Sequence, residues 1–468
     1  MAARVGRGDP MNRAVLSCLT WLTVRFARRP LSLFWPIHFQ RSVWSLDLPA
    51  FQLVIGSSRN VVQHVLVRGA ARYPKSRVMQ PLLAPLIGRG LFASEDSDVA
   101  GIRRMFVRAI AQVSEATIEA TSRRLLATYQ ERWQHDGGVE RLPVSSEMSR
   151  LTVDIVSECL FHTRFSEAES AEFTDLFFRY QFQASPLRLY PWVGKRVVAP
   201  LRQWRQRQIA ARMRALMRGR FAAGLRDTSS PLAASPFAQA LAERERAGEV
   251  ALSDERLLDE VAVMLLAGHE TSASALSWLL RTLAGDPALQ ARLRDEARGA
   301  VGETPLIRSV INEVLRLYPP IPIYARDATA ADTIEDRSVK AGALVLVSPW
   351  VIHRHAQLWE EPRVFQPERF LATTASEATG KFLPFGFGPR ACPGSRFAMV
   401  EMQTLLAGLM LAHRLRPLAG KTAQPLGNLT TRPDREIYIA LDAWPAQDAA
   451  PATPPELRPA PQPAHEDA

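Results

Sequence analysis

Residues 381–394 read KFLPFGFGPRACPG, from Lys381 to Gly394, and the chain is organised around this run and the sulfur of Cys392 within it. Gly386 and Gly388 carry no Cβ and can adopt positive φ, so the backbone can turn tightly here and approach a flat ligand closely. Residues 395–413 then read as an apolar helix. Cys392 therefore stands just ahead of a helix start, where unpaired N–H groups and the positive dipole end favour an anion. That setting predicts a lowered thiol pKa. A thiolate so placed is a nucleophile or a metal ligand; a nucleophile needs a nearby base, and none stands beside it in sequence. A lone cysteine is more often core filler, so specificity comes from the whole run.

Working outward, residues 253–284 form the longest helical pattern. Ser253 suits the N-cap, Asp254 and Glu255 the first turn, and Gly285 with Pro287 the end. At 1.5 Å per residue the pattern spans roughly 45 Å, the width of a domain, and its apolar character on most sides requires burial. Near its middle stand Ala267, Gly268, His269, Glu270 and Thr271. Polar groups there are costly unless partnered or functional. Gly268 removes bulk from one face, against which a flat ligand could lie, and Thr271 can bond back to the preceding turn, opening the helix locally. Glu313 and Arg316 share one side of a helix that Pro319 and Pro320 terminate.

These motifs stand in the order and spacing of the cytochrome P450 family, and over residues 48–441 the chain resembles it. The resemblance implies the family's mainly α fold with small β-sheets (α+β), a long central buried helix and a cysteine loop that binds haem. It makes Cys392 the proximal iron ligand of haem b (iron protoporphyrin IX). It assigns Glu270 and Thr271 to proton delivery during oxygen activation, and Glu313, Arg316 and Arg369 to a structural triad. Arg103, Arg326 and Arg390 are implied partners of the haem propionates, with Gly268, Phe385 and Gly394 also lining the cofactor. Two departures are visible: Val99 stands where many relatives have Trp or His four residues before the arginine, and the connection over residues 301–307 is short. The implied activity is insertion of one oxygen atom from O2 into a hydrophobic organic molecule. A thiolate ligand favours the required O–O cleavage. With no flavin or iron–sulfur domain in the chain, electrons are expected from outside. Rival readings are a peroxide-using haem-thiolate enzyme and a non-catalytic haem sensor.

Lys and Arg total 58 against 47 Asp and Glu, a net charge of +11, and 47% of residues are hydrophobic. No nucleic-acid motif accompanies this excess, so an acidic ferredoxin or flavodoxin-like donor is the first-ranked partner, Arg103, Arg104 and Arg108 its docking surface, and nucleic acid is excluded. Three scattered cysteines, Cys18, Cys159 and Cys392, argue for a reducing compartment, and Cys159 reads as packing. The expected organisation is an N-terminal arm over residues 1–47, a catalytic domain over 48–444 and a disordered Pro/Ala-rich tail over 445–468. The apolar run 14–24 is too short to span a bilayer; it is expected to pack on the domain or touch a membrane surface. The expected location is cytoplasmic, with membrane contact at most peripheral. Residues 73–92 read as a loop bordering a pocket, 173–193 as a pocket roof, and 200–225 as a basic helix with a solvated or membrane-facing surface. Short strands are expected around residues 48–56, 321–326 and 343–348. Pocket walls are expected from residues 77–92, 173–193, 264–271, 321–324 and 427–432, whose apolar bias predicts a largely hydrophobic ligand.

Overall fold

The computed structural model describes residues 29–48, 51–78, 80–95, 98–135, 139–183, 199–227, 229–299, 304–444 and 458–459. The arm before residue 29, the turn 136–138, the later part of the expected roof, the connection 300–303 and most of the tail lie outside the described residues, as does Cys18. Nine helices carry the argument: α1 Val99–Ala111, α2 Glu115–His135, α3 Val144–Phe161, α4 Glu167–Gln183, α5 Ala199–Arg220, α6 Pro236–Arg246, α7 Asp254–Ala284, α8 Pro305–Leu317 and α9 Ser395–Ala412. Small sheets flank them. The largest contains β1 Val43–Leu48, β2 Phe51–Gly56, β3 Tyr324–Asp327 and β4 Leu344–Val347, ordered β1-β2-β4-β3. β2 and β4 run parallel, pairing Val54 with Val345, and the other pairs are antiparallel. The α+β expectation is met.

α7 is the spine. Ser253 caps it by accepting from the Arg256 amide, and Gly285 ends it. Its centre packs so closely on α3 that a Cβ at Gly268 would lie 2.5 Å from Val156 Cγ2. α3 is capped from a distance: the Glu436 carboxylate accepts from the Ser145 and Ser146 amides at 2.7 and 3.2 Å. One apolar core runs through the helices and includes Phe397, while a second lies against the large sheet and includes Leu383. The cysteine loop joins these two cores.

Two expectations need correction. Residues 73–92 are not simply a loop, because Gln80–Ile87 is helical with Pro85 inside it. Pro81 falls in the first turn, where a missing N–H costs nothing. Nor are the arginines of α5 simply solvated: Arg212 pairs with Glu172, Arg214 with Asp259 and Arg220 with Glu169. No helix among the described residues is long and apolar enough to cross a membrane. Arg458–Pro459, within the expected tail, pair with Val364–Phe365.

Candidate active site

The loop that carries Cys392 is built by its glycines. Gly386 and Gly388 have φ of 75° and 73°, and a Cβ at Gly388 would lie 2.3 Å from the Leu66 carbonyl oxygen. The Cys392 amide closes the loop by donating to the Phe385 carbonyl at 2.7 Å. Gly394 then starts α9, accepting from the Ala398 amide at 2.9 Å. Cys392 keeps open surface as a residue, yet burial by surrounding protein governs its titration and pushes the thiol up, against the Gly394 amide and the charge of Arg103. This corrects the expected fall in pKa: the helix-start groups are present, but lost hydration outweighs them. Open surface combined with dehydration marks a group that lines an interior space.

Behind the loop the ion triad is complete. Glu313 receives Arg316 through two contacts of 2.7 Å, and Arg369 Nε at 3.2 Å. Glu313 and Arg316 are fully buried. Arg316 also donates to the His353 and Pro362 carbonyls at 2.7 Å. His353 Nε2 in turn accepts from the Leu383 amide at 2.8 Å. The triad therefore reaches the cysteine loop through His353, which burial keeps neutral by pushing its pKa down to about 3.

A cationic cluster stands beside the sulfur. Arg103 donates to the Ala391 carbonyl at 2.6 Å, so α1 delivers it to the loop despite the departure at Val99. Arg390 donates to the Ala70 carbonyl at 2.9 Å and pairs with Glu95 at 3.2 Å. Arg326 is held below its usual range, near 10, by burial and then by Arg390. Its Nε finds no partner among the described residues. Lys75, which sequence reasoning missed, pairs across a bridge with Arg326. Burial pushes Lys75 down to about 8, with Arg390, Arg326 and Arg103 adding repulsion against the pull of Glu95. Lys75, Arg326 and Arg390 thus gather about Glu95, with Arg103 acting on Lys75, an excess of positive charge. Arg104 and Arg108 do not join them; both stay about half-exposed and face Glu249 at 2.9 Å and Glu243 at 4.0 Å.

On α7, Ala267, Gly268 and Thr271 keep partial exposure between stretches that are otherwise buried. Thr271 Oγ1 donates to the Ala267 carbonyl at 2.7 Å, as expected, but α7 stays unbroken. Gly268 owes its identity to Val156, so only its backbone is left for a ligand. Glu270 is buried and held away from Thr271: its Oε1 accepts from Gln181 Nε2 and Thr430 Oγ1, both at 2.6 Å. Arg432 lies close enough to feel that carboxylate, though burial dominates and lowers its pKa. His269 is buried and turned toward the rings of Phe173 and Phe177. Ser272 is in contact with Glu401 of α9, so the helix that begins at the cysteine is packed on the Thr271 turn. Gln181 and Thr430 fall in stretches read as pocket wall, although no spacing singled out either residue.

The family model for cytochrome P450 matches residues 17–439. The chain belongs to the cytochrome P450 family. It is 38% identical over 212 residues to cytochrome P450 4X1 of Rattus norvegicus, covering 42% of this chain and 41% of that protein. The chain thus spans about two fifths of the length of such mammalian relatives. Cyclooctatin synthase of Streptomyces melanosporofaciens is 29% identical over 434 residues, covering 88% and 91% of the two chains. In fold, the chain is similar to a 6-coordinated cytochrome P450 from Thermus thermophilus, with a TM-score of 0.67, 23% identity, and coverage of 86% and 95%. The P450 family implies a haem, and the residues fit one. No group of three His, Cys, Asp or Glu side chains forms a metal cluster among the described residues. The surplus charge of Lys75, Arg103, Arg326 and Arg390 suits two propionates, and the unpartnered Arg326 Nε supplies a waiting donor.

Proposed function

We propose that the protein is a monooxygenase that uses haem b to insert one atom of O2 into a hydrophobic organic molecule and reduce the other to water. Its electrons come from an acidic ferredoxin or flavodoxin-like protein, and it works in the cytoplasm. The observation that carries this reading is the exposed Cys392 flanked by an excess of half-buried cations. Bound there, the haem supplies O2 binding and O–O cleavage. Cys392 would hold it, Lys75, Arg103, Arg326 and Arg390 would neutralise its carboxylates, and Phe385 and Gly394 would line it. The Thr271 hydroxyl spends its proton on Ala267, leaving its lone pairs free to accept a hydrogen bond in the pocket. Glu270 stands one residue from it, and release from Gln181 and Thr430 frees its side chain to relay a proton inward.

The test begins with the ferrous carbon monoxide complex. Wild-type protein should give the red-shifted Soret band of thiolate ligation, and Cys392→His should lose it with far-UV circular dichroism unchanged. A retained band in that variant removes the assignment. Turnover under 18O2 with a reconstituted acidic donor should place label in the product. Product formed with peroxide but never with donor and O2 would favour the peroxide-using reading instead. Candidate substrates are found by screening for the spin-state shift of the ferric protein.

A further inference from the structure

At the far end of α7 the protein contains a half-open cavity of about 1040 Å3, walled by the last turns of α7 and α8, residues 417–423 and residues 435–439. Nothing in the oxygenase chemistry uses it. Its acids are already committed: Asp286 accepts from the Leu289 amide at 3.0 Å, and Glu436 caps α3. Of its cations, Arg435 is also committed, to Asp434 at 3.1 Å, but three others are not. Arg281, Arg141 and Lys421 line the cavity and form no ion pair with a carboxylate among the described residues; Arg281 and Arg141 make only ring contacts, with Trp278 and Tyr438.

The decisive group is Tyr318. It is 2% exposed and lies flat on Trp278, with centroids 4.3 Å apart and planes at 5°. Tyr318 is among the residues that line the cavity, and its buried hydroxyl finds no partner among the described residues. Burial dominates that hydroxyl and raises its pKa, with the charges of Arg281 and Arg354 acting against it. A buried hydroxyl without a partner is costly, so the arrangement favours an acceptor arriving from the cavity. Leu317, Phe365, Ile437 and Ile439 provide an apolar wall beside it, which a free inorganic anion would leave unused.

We propose that this cavity binds an organic carboxylate with an apolar body, its headgroup held by the Tyr318 hydroxyl and the Arg281 guanidinium. Lys421 and Arg141 draw the anion in, and the body lies along the apolar wall. The site is separate from the cysteine loop, and its existence does not depend on the oxygenase reading.

Equilibrium dialysis of radiolabelled dodecanoate against the full haem-loaded chain tests it. We expect bound dodecanoate that leaves the haem spectrum unchanged. Tyr318→Phe and Arg281→Gln should each weaken that binding by about tenfold, the effect of one lost charge-assisted hydrogen bond. Tyr318→Phe keeps the ring stacked on Trp278, and Arg281→Gln alters a partly exposed side chain, so thermal melting should confirm folded variants. Dodecanol should bind at least about tenfold more weakly. The proposal is overturned if all bound dodecanoate shifts the haem spectrum, if both substitutions leave binding intact, or if dodecanol binds equally well. Displacement by equimolar inorganic phosphate would overturn the apolar half of the assignment.

Discussion

An alanine at position 268 would push its Cβ to 2.5 Å from Val156 Cγ2, a separation that requires α3 and α7 to part. Gly268→Ala should destabilise the fold by about 1–3 kcal/mol, the usual cost of overpacking, and Val156→Ala should recover part of it; urea denaturation of the three variants measures this. Thr271→Ala should divert electrons to released peroxide, lowering product per electron by at least about tenfold, the low side of what a positioned proton-transfer group contributes; Thr271→Ser should restore much of the coupling. Glu401 offers a titration. Burial pushes it up to about 8, with Ser272 opposing, whereas in the unfolded chain it titrates near 4. Between those values the folded state holds a proton that the unfolded state has lost. Glu401 therefore makes stability fall as pH rises from about 4 to 8, by about 1.4 kcal/mol per pH unit at most. Glu401→Gln should flatten that slope in denaturation curves taken across the window. At this scale the sequence was legible where geometry follows from neighbours along the chain, as in the Thr271 bond back to Ala267 and the positive-φ turns at Gly386 and Gly388. Lys75, Gln181 and Thr430 were not, because each acts on a group far away in sequence.

Among the elements, the cysteine loop depends on a helix that never touches the sulfur. α8 carries Glu313 and Arg316, whose buried pair anchors His353, and His353 holds the Leu383 amide. Arg316→Leu leaves the buried Glu313 carboxylate with Arg369 as its one remaining cation, a loss of about 3 kcal/mol, and should lower the fraction of protein showing the thiolate carbon monoxide band. Calorimetry with the band intensity would check both; an unchanged band at normal stability would detach the triad from the loop. α7 was readable from Ser253 to Gly285 because its caps and periodicity are local signals. The helix Gln80–Ile87 was hidden by Pro81 and Pro85, which read as breakers, although the first occupies a tolerated first turn. The cap on α3 was equally hidden, because Glu436 comes from the other end of the chain.

Over the whole molecule, Cys392 lies on the seam between a helical core containing Phe397 and a sheet core containing Leu383. Two independently packed bodies thus set the position of one sulfur. The net charge of +11 should make reduction by an acidic donor slow steeply with added salt. Because Arg104 and Arg108 face Glu249 and Glu243, Arg108→Gln should change the stopped-flow reduction rate by less than about twofold. The overall architecture was legible from the helical proportions and the strand-like segments, whereas the pairing of β2 with β4 joins stretches nearly three hundred residues apart and left no local trace. The flat stacking of Trp278 on Tyr318 at 4.3 Å also has an optical consequence. Two nearly parallel aromatic chromophores at that separation couple electronically, so the pair should contribute an exciton feature to the near-ultraviolet dichroism and alter the emission of Trp278. The protein thus contains its own chromophoric gauge of how the ends of α7 and α8 meet.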